Sequence, residues 1–258
     1  MNSIIEARAQ SQTTKSTLKA IILAAGVGSR IRPLTDNCPK SLLKIGNYTI
    51  LQMMLSHLQS CGINDVVIVL GYLQQQIKDY VAANFPDINI QFVVNEYYET
   101  TNTGYSLMLT EPFVKNCDFI KFDADVVFEL TILNKLIASK YRNVLCIDKD
   151  ISLDAEEIKV IIDEQGKVLK ASKEVAPQEA IGESIGIEKI SHESAELLFS
   201  ELRLMMKDKN NHQAYYEAAY ERLIEKNTTF NTLDITGDKW TEIDTLADFD
   251  LAKSIFLT

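Results

Sequence analysis

The sequence contains no CxxC pair: its four cysteines, Cys38, Cys61, Cys117 and Cys146, are widely separated. That spacing suggests neither a zinc site nor a disulfide framework, and it suits a reducing cytoplasm. Positive charge is in deficit, with 26 Lys and Arg against 36 Asp and Glu and a formal net charge of −10. Nonspecific binding to nucleic acid or to an anionic membrane needs a basic surface, so neither is expected. A local basic pocket for phosphates stays open, because net charge does not say where charges sit. Long apolar runs are missing too. The longest, such as Val66–Leu70, are of strand length, and no transmembrane helix fits. The segment Met1–Thr17 is polar, lacks the apolar core of a signal peptide, and reads as a flexible tail. Repeats and low-complexity linkers are also missing.

What is present is ordinary globular composition, 46% hydrophobic and 24% charged over 258 residues. From Leu18 the chain alternates strand and helix patterns. Leu18–Ala24, Val66–Leu70, Ile88–Val94, Phe119–Phe122 and Val144–Ile147 read as strands. Between them, helical spacing covers Thr49–Cys61, Leu73–Asn84, Gly104–Thr110 and Glu129–Lys140. This order implies a largely parallel sheet with helices on both faces. After Asp150 the rhythm changes. A hairpin is expected over Ile158–Asp163 and Val168–Ser172, then helices near Ser191–Lys207 and Ala214–Lys226. A strand near Phe230–Ile235, the segment Lys239–Ile243 and a closing helix Thr245–Phe256 complete the chain. Residues 18–258 read as one domain with an α/β half and a mixed second half.

The loop after the first strand carries the chemistry. Small residues at Ala24, Ala25, Gly26 and Gly28 let backbone N–H groups approach an anion, and Arg30 and Lys40 flank them with positive charge. A Walker A spacing, GxxxxGK[ST], is not found here. A dinucleotide fingerprint is disfavoured as well: Ile31 stands at the third glycine position, Pro33 interrupts helix growth, and Lys40 and Lys44 stand where an acid is needed. The run Leu23–Lys40, LAAGVGSRIRPLTDNCPK, resembles the LAAGxGxRxxPLTxxxPK signature of the sugar-phosphate nucleotidyltransferase superfamily. The resemblance implies a Rossmann-like nucleotidyltransferase fold of the α/β class, with a mostly parallel central sheet flanked by helices and a mixed C-terminal half. It also implies that Leu23, Ala24, Ala25, Gly26 and Gly28 contact a nucleotide, while Arg30 and Lys40 neutralise its phosphates and serve catalysis.

Two acidic segments fit beside that loop. Asp123-Ala124-Asp125 ends a strand, where α/β proteins bind ligands, and period-two alternation puts both acids on one side. Asp244 precedes the last helix, where taken alone it reads as that helix's N-cap. The resemblance implies that Asp125 and Asp244 together hold Mg2+, with Asp123 supporting them or touching the nucleotide. On the acceptor side it implies that Lys173 binds a phosphate and that Glu183, in Gly182–Gly186, lines the pocket. The segment Asn95–Leu107 is similar to the N-x-Y…N-x-x-S-L pattern of the CTP-using branch, such as phosphocholine cytidylyltransferases. The hairpin-to-Gly186 region and the Trp240–Asp244 ending look closer still to cytidylyltransferases acting on small phosphonates or phosphoesters. Thr101 and Asn102 then become candidates for reading the base, and Tyr105, with Tyr97 and Tyr98, for caging a ligand.

The expected reaction is transfer of CMP from CTP to a small phosphorylated or phosphonate acceptor, with release of pyrophosphate. A sugar-1-phosphate enzyme using UTP, dTTP or GTP, and a nucleotide-binding relative without chemistry, remain open at this point. The acceptor's identity is not legible, and a homodimer is compatible with the pattern. His57, His192 and His212 lie away from every motif and are assigned no role.

Overall fold

Strand Lys19–Ala24 lies inside a nine-stranded sheet, paired in parallel with Asp65–Leu70 on one side and Phe119–Asp123 on the other. The computed structural model describes residues 18–114 and 116–257, so the tail expected over Met1–Thr17 lies outside the described residues. Asn89–Val94 extends the parallel part beyond Asp65–Leu70. On the other flank the long strand Gly182–Ile190 runs antiparallel to Phe119–Asp123, to Val144–Asp148 and, through Gly182 and Glu183, to Lys159–Ile162. The expected hairpin is present: Val168–Ser172 pairs antiparallel with Lys159–Ile162. The second half is therefore mixed, as its broken rhythm implied, while the first half carries the parallel strands.

The apolar alternation of the first strand explains why it needs cover on both sides. Ala20, Ile22 and Ala24 join a core with Leu51, Met54, Leu55 and Leu58 of helix Ile50–Ser60 and with Ile132, Leu133 and Leu136 of helix Leu130–Ala138. Ile21 and Leu23 face the opposite layer, against Leu198, Phe199 and Leu202 of helix His192–Met205 and Ala219, Tyr220 and Leu223 of helix Glu217–Glu225. Each fully buried Ile or Leu contributes about 1.5–3 kcal/mol by leaving water, so both layers hold the strand in register. Its C-terminal end then opens where the Gly-bearing loop begins.

A third, smaller core locks the end of the chain to that loop. Ile31, Leu43, Ile45 and Ile50 pack with Val127, Ile243 and Ala252, the last from helix Leu246–Phe256. Strand Trp240–Glu242 pairs antiparallel with Val126–Phe128, and Ile243 N donates to Asp125 O at 3.1 Å. Among the described residues no helix is long and apolar enough to cross a membrane.

Candidate active site

The strand ends, the first loop and the C-terminal segment enclose a cavity of about 860 Å³. Leu23, Ala24, Gly26, Gly28, Arg30, Lys40, Asn102, Asp123, Asp125, Lys173, Glu183 and Asp244 all line it, which unites most of the residues singled out from sequence. On one wall, Gly28 sits at φ +65°, the left-handed region where a side chain costs energy. Its carbonyl accepts from Thr35 Oγ1 at 2.7 Å and from Ile31 N at 3.3 Å, closing the turn. A Cβ on Gly28 would meet Thr35 Cγ2 at 3.1 Å and Lys40 Cβ at 3.3 Å, so the loop is fitted against Lys40 itself. Among the described residues, none accepts a hydrogen bond from the N–H groups of Gly26, Val27 or Gly28, leaving these donors for an anion.

Lys40 ties three distant segments together. Its Nζ donates to Asp125 Oδ2 at 2.8 Å and to Asp244 Oδ1 at 2.6 Å. Burial alone would push this ammonium down, but the two carboxylates outweigh it and hold Lys40 above the ordinary lysine value. Arg30 reaches the other oxygen of Asp244 at 2.6 Å and Glu156 at 3.4 Å. Burial works against ionisation of Asp244, yet Lys40 and Arg30 prevail and keep its carboxyl below the usual range. The alternative that Asp244 caps the last helix fails: the cap is Thr245, in a reciprocal pair with Asp248.

A third acid joins this pair. Asp125, Glu242 and Asp244 can bring one carboxylate oxygen each within 4.8 Å of one another. Sequence reasoning passed over Glu242, although Glu242-Ile243-Asp244 repeats the acid-x-acid spacing of Asp123-Ala124-Asp125. Loss of water against the cavity wall and the neighbouring Asp125 and Asp244 carboxylates push Glu242 up to about 9. Its side chain still opens to the solvent-filled cavity, so repulsion among the three acids is the more telling cause. Asp125 Oδ1 is buried without a partner. Hard carboxylate donors, an orphaned oxygen and crowded negative charge fit a divalent cation such as Mg2+.

Asp123 engages a different network. Lys121, fully buried, donates to Asp123 Oδ2 at 2.8 Å and to Gly186 O at 3.2 Å, and pairs with Glu188 at 2.8 Å. Tyr216 donates to Asp123 Oδ2 at 2.7 Å, and its ring lies 3.7 Å from Lys121 Nζ. The alternation that placed Asp123 and Asp125 on one side missed this division of labour. Asp125 sits in the turn after the strand and turns to Lys40; Asp123, still in the strand, shares its face with Lys121. Nothing in the sequence marked Lys121, Tyr216 or Glu217, since a lysine inside an apolar strand and acids on a helix are read as incidental.

Three expected contacts are displaced from the cavity. Tyr105 packs on His212, with ring centroids 5.4 Å apart, and edge-on to Tyr97, because helix Thr103–Met108 rotates it away from the side presented by Asn102 and Thr103. Thr101 is buried, accepting from Asn95 Nδ2 at 2.9 Å and donating to Tyr97 O at 2.8 Å. Ala25 packs in the layer beneath, its carbonyl held by Tyr72 N at 3.1 Å. Asn102 does line the cavity, but its Oδ1 caps the following helix through Thr103 N. On the acceptor side, Lys173 Nζ lies 3.4 Å from Glu156 and 5.1 Å from the centroid of the Tyr215 ring.

Comparison with known proteins agrees with this geometry. Residues 19–162 match the model of the Nucleotidyl transferase family. The chain is 31% identical over 258 aligned positions to the CTP:phosphoglutamine cytidylyltransferase of Campylobacter jejuni, covering 91% of this chain and 98% of that one. Over 127 positions it is 36% identical to the choline-phosphate cytidylyltransferase of Streptococcus pneumoniae, covering 49% of this chain and 53% of that enzyme. Among solved structures, the CTP:phosphocholine cytidylyltransferase of Streptococcus pneumoniae superposes with a TM-score of 0.78 at 26% identity, covering 93% of this chain and 99% of that one.

Proposed function

The chain belongs to the nucleotidyl transferase family, and on that premise we propose that it transfers CMP from CTP to a small phosphorylated or phosphonate acceptor, releasing pyrophosphate. The observation that carries the reading is Lys40 held between Asp125 and Asp244 at the mouth of a loop of free N–H donors. The CTP preference is supported by the relatives in C. jejuni and S. pneumoniae, both cytidylyltransferases.

In this reading residues 18–258 act as one nucleotidyltransferase domain, and Leu23, Ala24, Gly26 and Gly28 bed the nucleotide. Asn102 and Asp123, which line the same cavity, contact the nucleotide beside them. Arg30 and Lys40 turn from their carboxylates to the triphosphate, neutralising the α-phosphate and the departing pyrophosphate. Lys173 holds the acceptor phosphate. Asp125 and Asp244, joined by Glu242, would hold Mg2+, whose chemistry is to polarise phosphate oxygens and to offset their charge. An acceptor phosphate oxygen forms the new bond to the α-phosphorus in line, while the bond to the β-phosphate oxygen breaks. That oxygen is already ionised at neutral pH, so no general base is required, and catalysis rests on positioning and charge.

The test is pyrophosphate release with Mg2+ across CTP, UTP, dTTP, GTP and ATP, each crossed with small phosphomonoesters and phosphonates. Release confined to CTP supports the reading. Release with UTP, dTTP or GTP and a sugar 1-phosphate, or nucleotide binding without release from any pair, overturns it.

A further inference from the structure

The loop that presents free N–H donors has little of its own to hold its shape. Apart from the short 3₁₀ turn Ser29–Ile31, residues 25–37 contain no helix or strand. A backbone that keeps donors free for an anion lacks the internal bonds that would stiffen it. Its shape has to be supplied from outside. The supplier is the segment Gly71–Gln76, where strand Asp65–Leu70 passes into helix Gln74–Asn84. No residue of that segment lines the cavity.

Tyr72 grips the loop at both ends. Its backbone N–H donates to Ala25 O at 3.1 Å, where the loop leaves the first strand. Its phenol hydroxyl lies 3.0 Å from Thr35 O and 2.9 Å from Asp36 O, so one proton is shared between two carbonyls of the far bend. A single side chain with two rotatable bonds thus sets the span between Ala25 and Asp36. Gln76 Nε2 adds a bond to Asn37 O at 3.1 Å. The approach is close enough to require glycine at 71, where a Cβ would stand 2.5 Å from Ala25 O. Leu73 follows at φ +48°, a left-handed backbone that costs a non-glycine residue energy and persists where surrounding contacts fix it. The grip is then passed inward. Thr35 is fully buried and donates from Oγ1 to Gly28 O at 2.7 Å, while its own carbonyl is held by Tyr72. The chain from Tyr72 through Thr35 to Gly28 runs from outside the cavity to the last of the three free donors.

We propose that Tyr72 is a positioning residue: it braces residues 25–37 so that the N–H groups of Gly26, Val27 and Gly28 converge on the triphosphate, acting through Thr35 and touching no substrate itself. The identity of the anion rests on the transferase reading, but the brace is a property of the loop. Donors that are already in place stabilise phosphate charge without reorganising when it arrives. A shift of about 1 Å at such donors lowers affinity and rate even when the residue that causes it lies away from the chemistry. Tyr72→Phe removes the hydroxyl and keeps the ring and the backbone bond to Ala25, so it loosens the far bend alone.

The test is calorimetric binding of inorganic tripolyphosphate with Mg2+, measured well below the thermal transition of each variant. Tyr72→Phe is expected to bind it about 3- to 10-fold more weakly than wild type, the fold-change that one neutral hydrogen bond is worth. Thr35→Val should weaken binding to a similar extent, and Thr35→Ser, which keeps the hydroxyl, should restore it. Because the two links act in series, the double variant Tyr72→Phe/Thr35→Val loses less than the product of the single losses. A tyrosine that only stabilises the fold would lower the thermal midpoint and leave tripolyphosphate affinity unchanged. That result overturns the proposal, as does a double variant whose losses multiply, or a wild type that binds no tripolyphosphate. Binding that depends on Tyr72, in a protein that releases no pyrophosphate from CTP with any acceptor, upholds the brace and overturns the transfer reading instead.

Discussion

Lys40 Nζ lies 2.6 Å from Asp244 Oδ1, an ion pair closed across 204 positions of the chain. It exists because strand Trp240–Glu242 pairs with Val126–Phe128, which brings the C-terminal acid back to the first loop. The same ammonium also holds Asp125, so one lysine occupies both carboxylates that suit a metal.

Replacing Lys40 should separate its two roles. In Lys40→Ala the turnover with CTP is expected to fall by about 10²–10³-fold, the scale of removing one electrostatic stabiliser. Single-turnover kinetics read this directly. A fall of only a few-fold refutes the assignment.

The second role is competition with the metal. With Lys40 gone, Asp125 and Asp244 lose the ammonium they share, and only Arg30 still pairs with Asp244. Mn2+ should then bind the nucleotide-free Lys40→Ala protein more tightly than wild type, by roughly tenfold, or about 1.4 kcal/mol. Paramagnetic resonance titration of free Mn2+ measures it, and weaker binding would show that Lys40 instead organises the acids for the ion.

Much of this arrangement was legible in the sequence, and the reasons differ by element. The helix expected over Thr49–Cys61 forms as Ile50–Ser60, with Thr49 accepting from Gln52 N as its cap, because apolar spacing and a capping residue coincide there. The loop was legible because its function is local: Gly28 and Lys40 touch within one short segment. Glu242 was not, because its role depends on a strand pairing that local patterns do not reveal. Tyr105 was misplaced for a related reason. One helical turn decides whether a side chain faces a cavity or His212, and sequence fixes helix boundaries only to within a residue or two. The Lys121 network was invisible, since it joins residues from two strands and the start of a helix that no spacing connects.

That network should be costly to break. Lys121→Met leaves Asp123, Glu188 and Glu217 without their buried cation, and loss of about 3–5 kcal/mol of stability is expected. Urea unfolding checks it. A loss below 1 kcal/mol would mean that protons on the acids already compensate for the charge.

Glu183 gives a pH-dependent prediction. It is 5% exposed with an unpartnered Oε2, and burial, then Glu157, Asp148 and Asp154, raise it to about 8. A raised carboxyl makes the folded state bind more protons than the unfolded chain, so its contribution to stability is present at low pH and lost as pH climbs to about 8. Glutamine at this position cannot ionise. The advantage of Glu183→Gln in thermal midpoint should therefore be small at pH 5 and grow toward pH 8, to several degrees. An advantage that shrinks with rising pH contradicts the assigned shift.

Transfer of CMP is read without intermediaries by phosphorus NMR of a complete reaction. With CTP, Mg2+ and 2-aminoethyl phosphate, the CTP resonances are expected to give way to a coupled pair from a new diphosphate diester, with pyrophosphate in equal amount. Conversion of CTP to CDP and orthophosphate, or an acceptor resonance left unchanged while pyrophosphate accumulates with CMP, would contradict it.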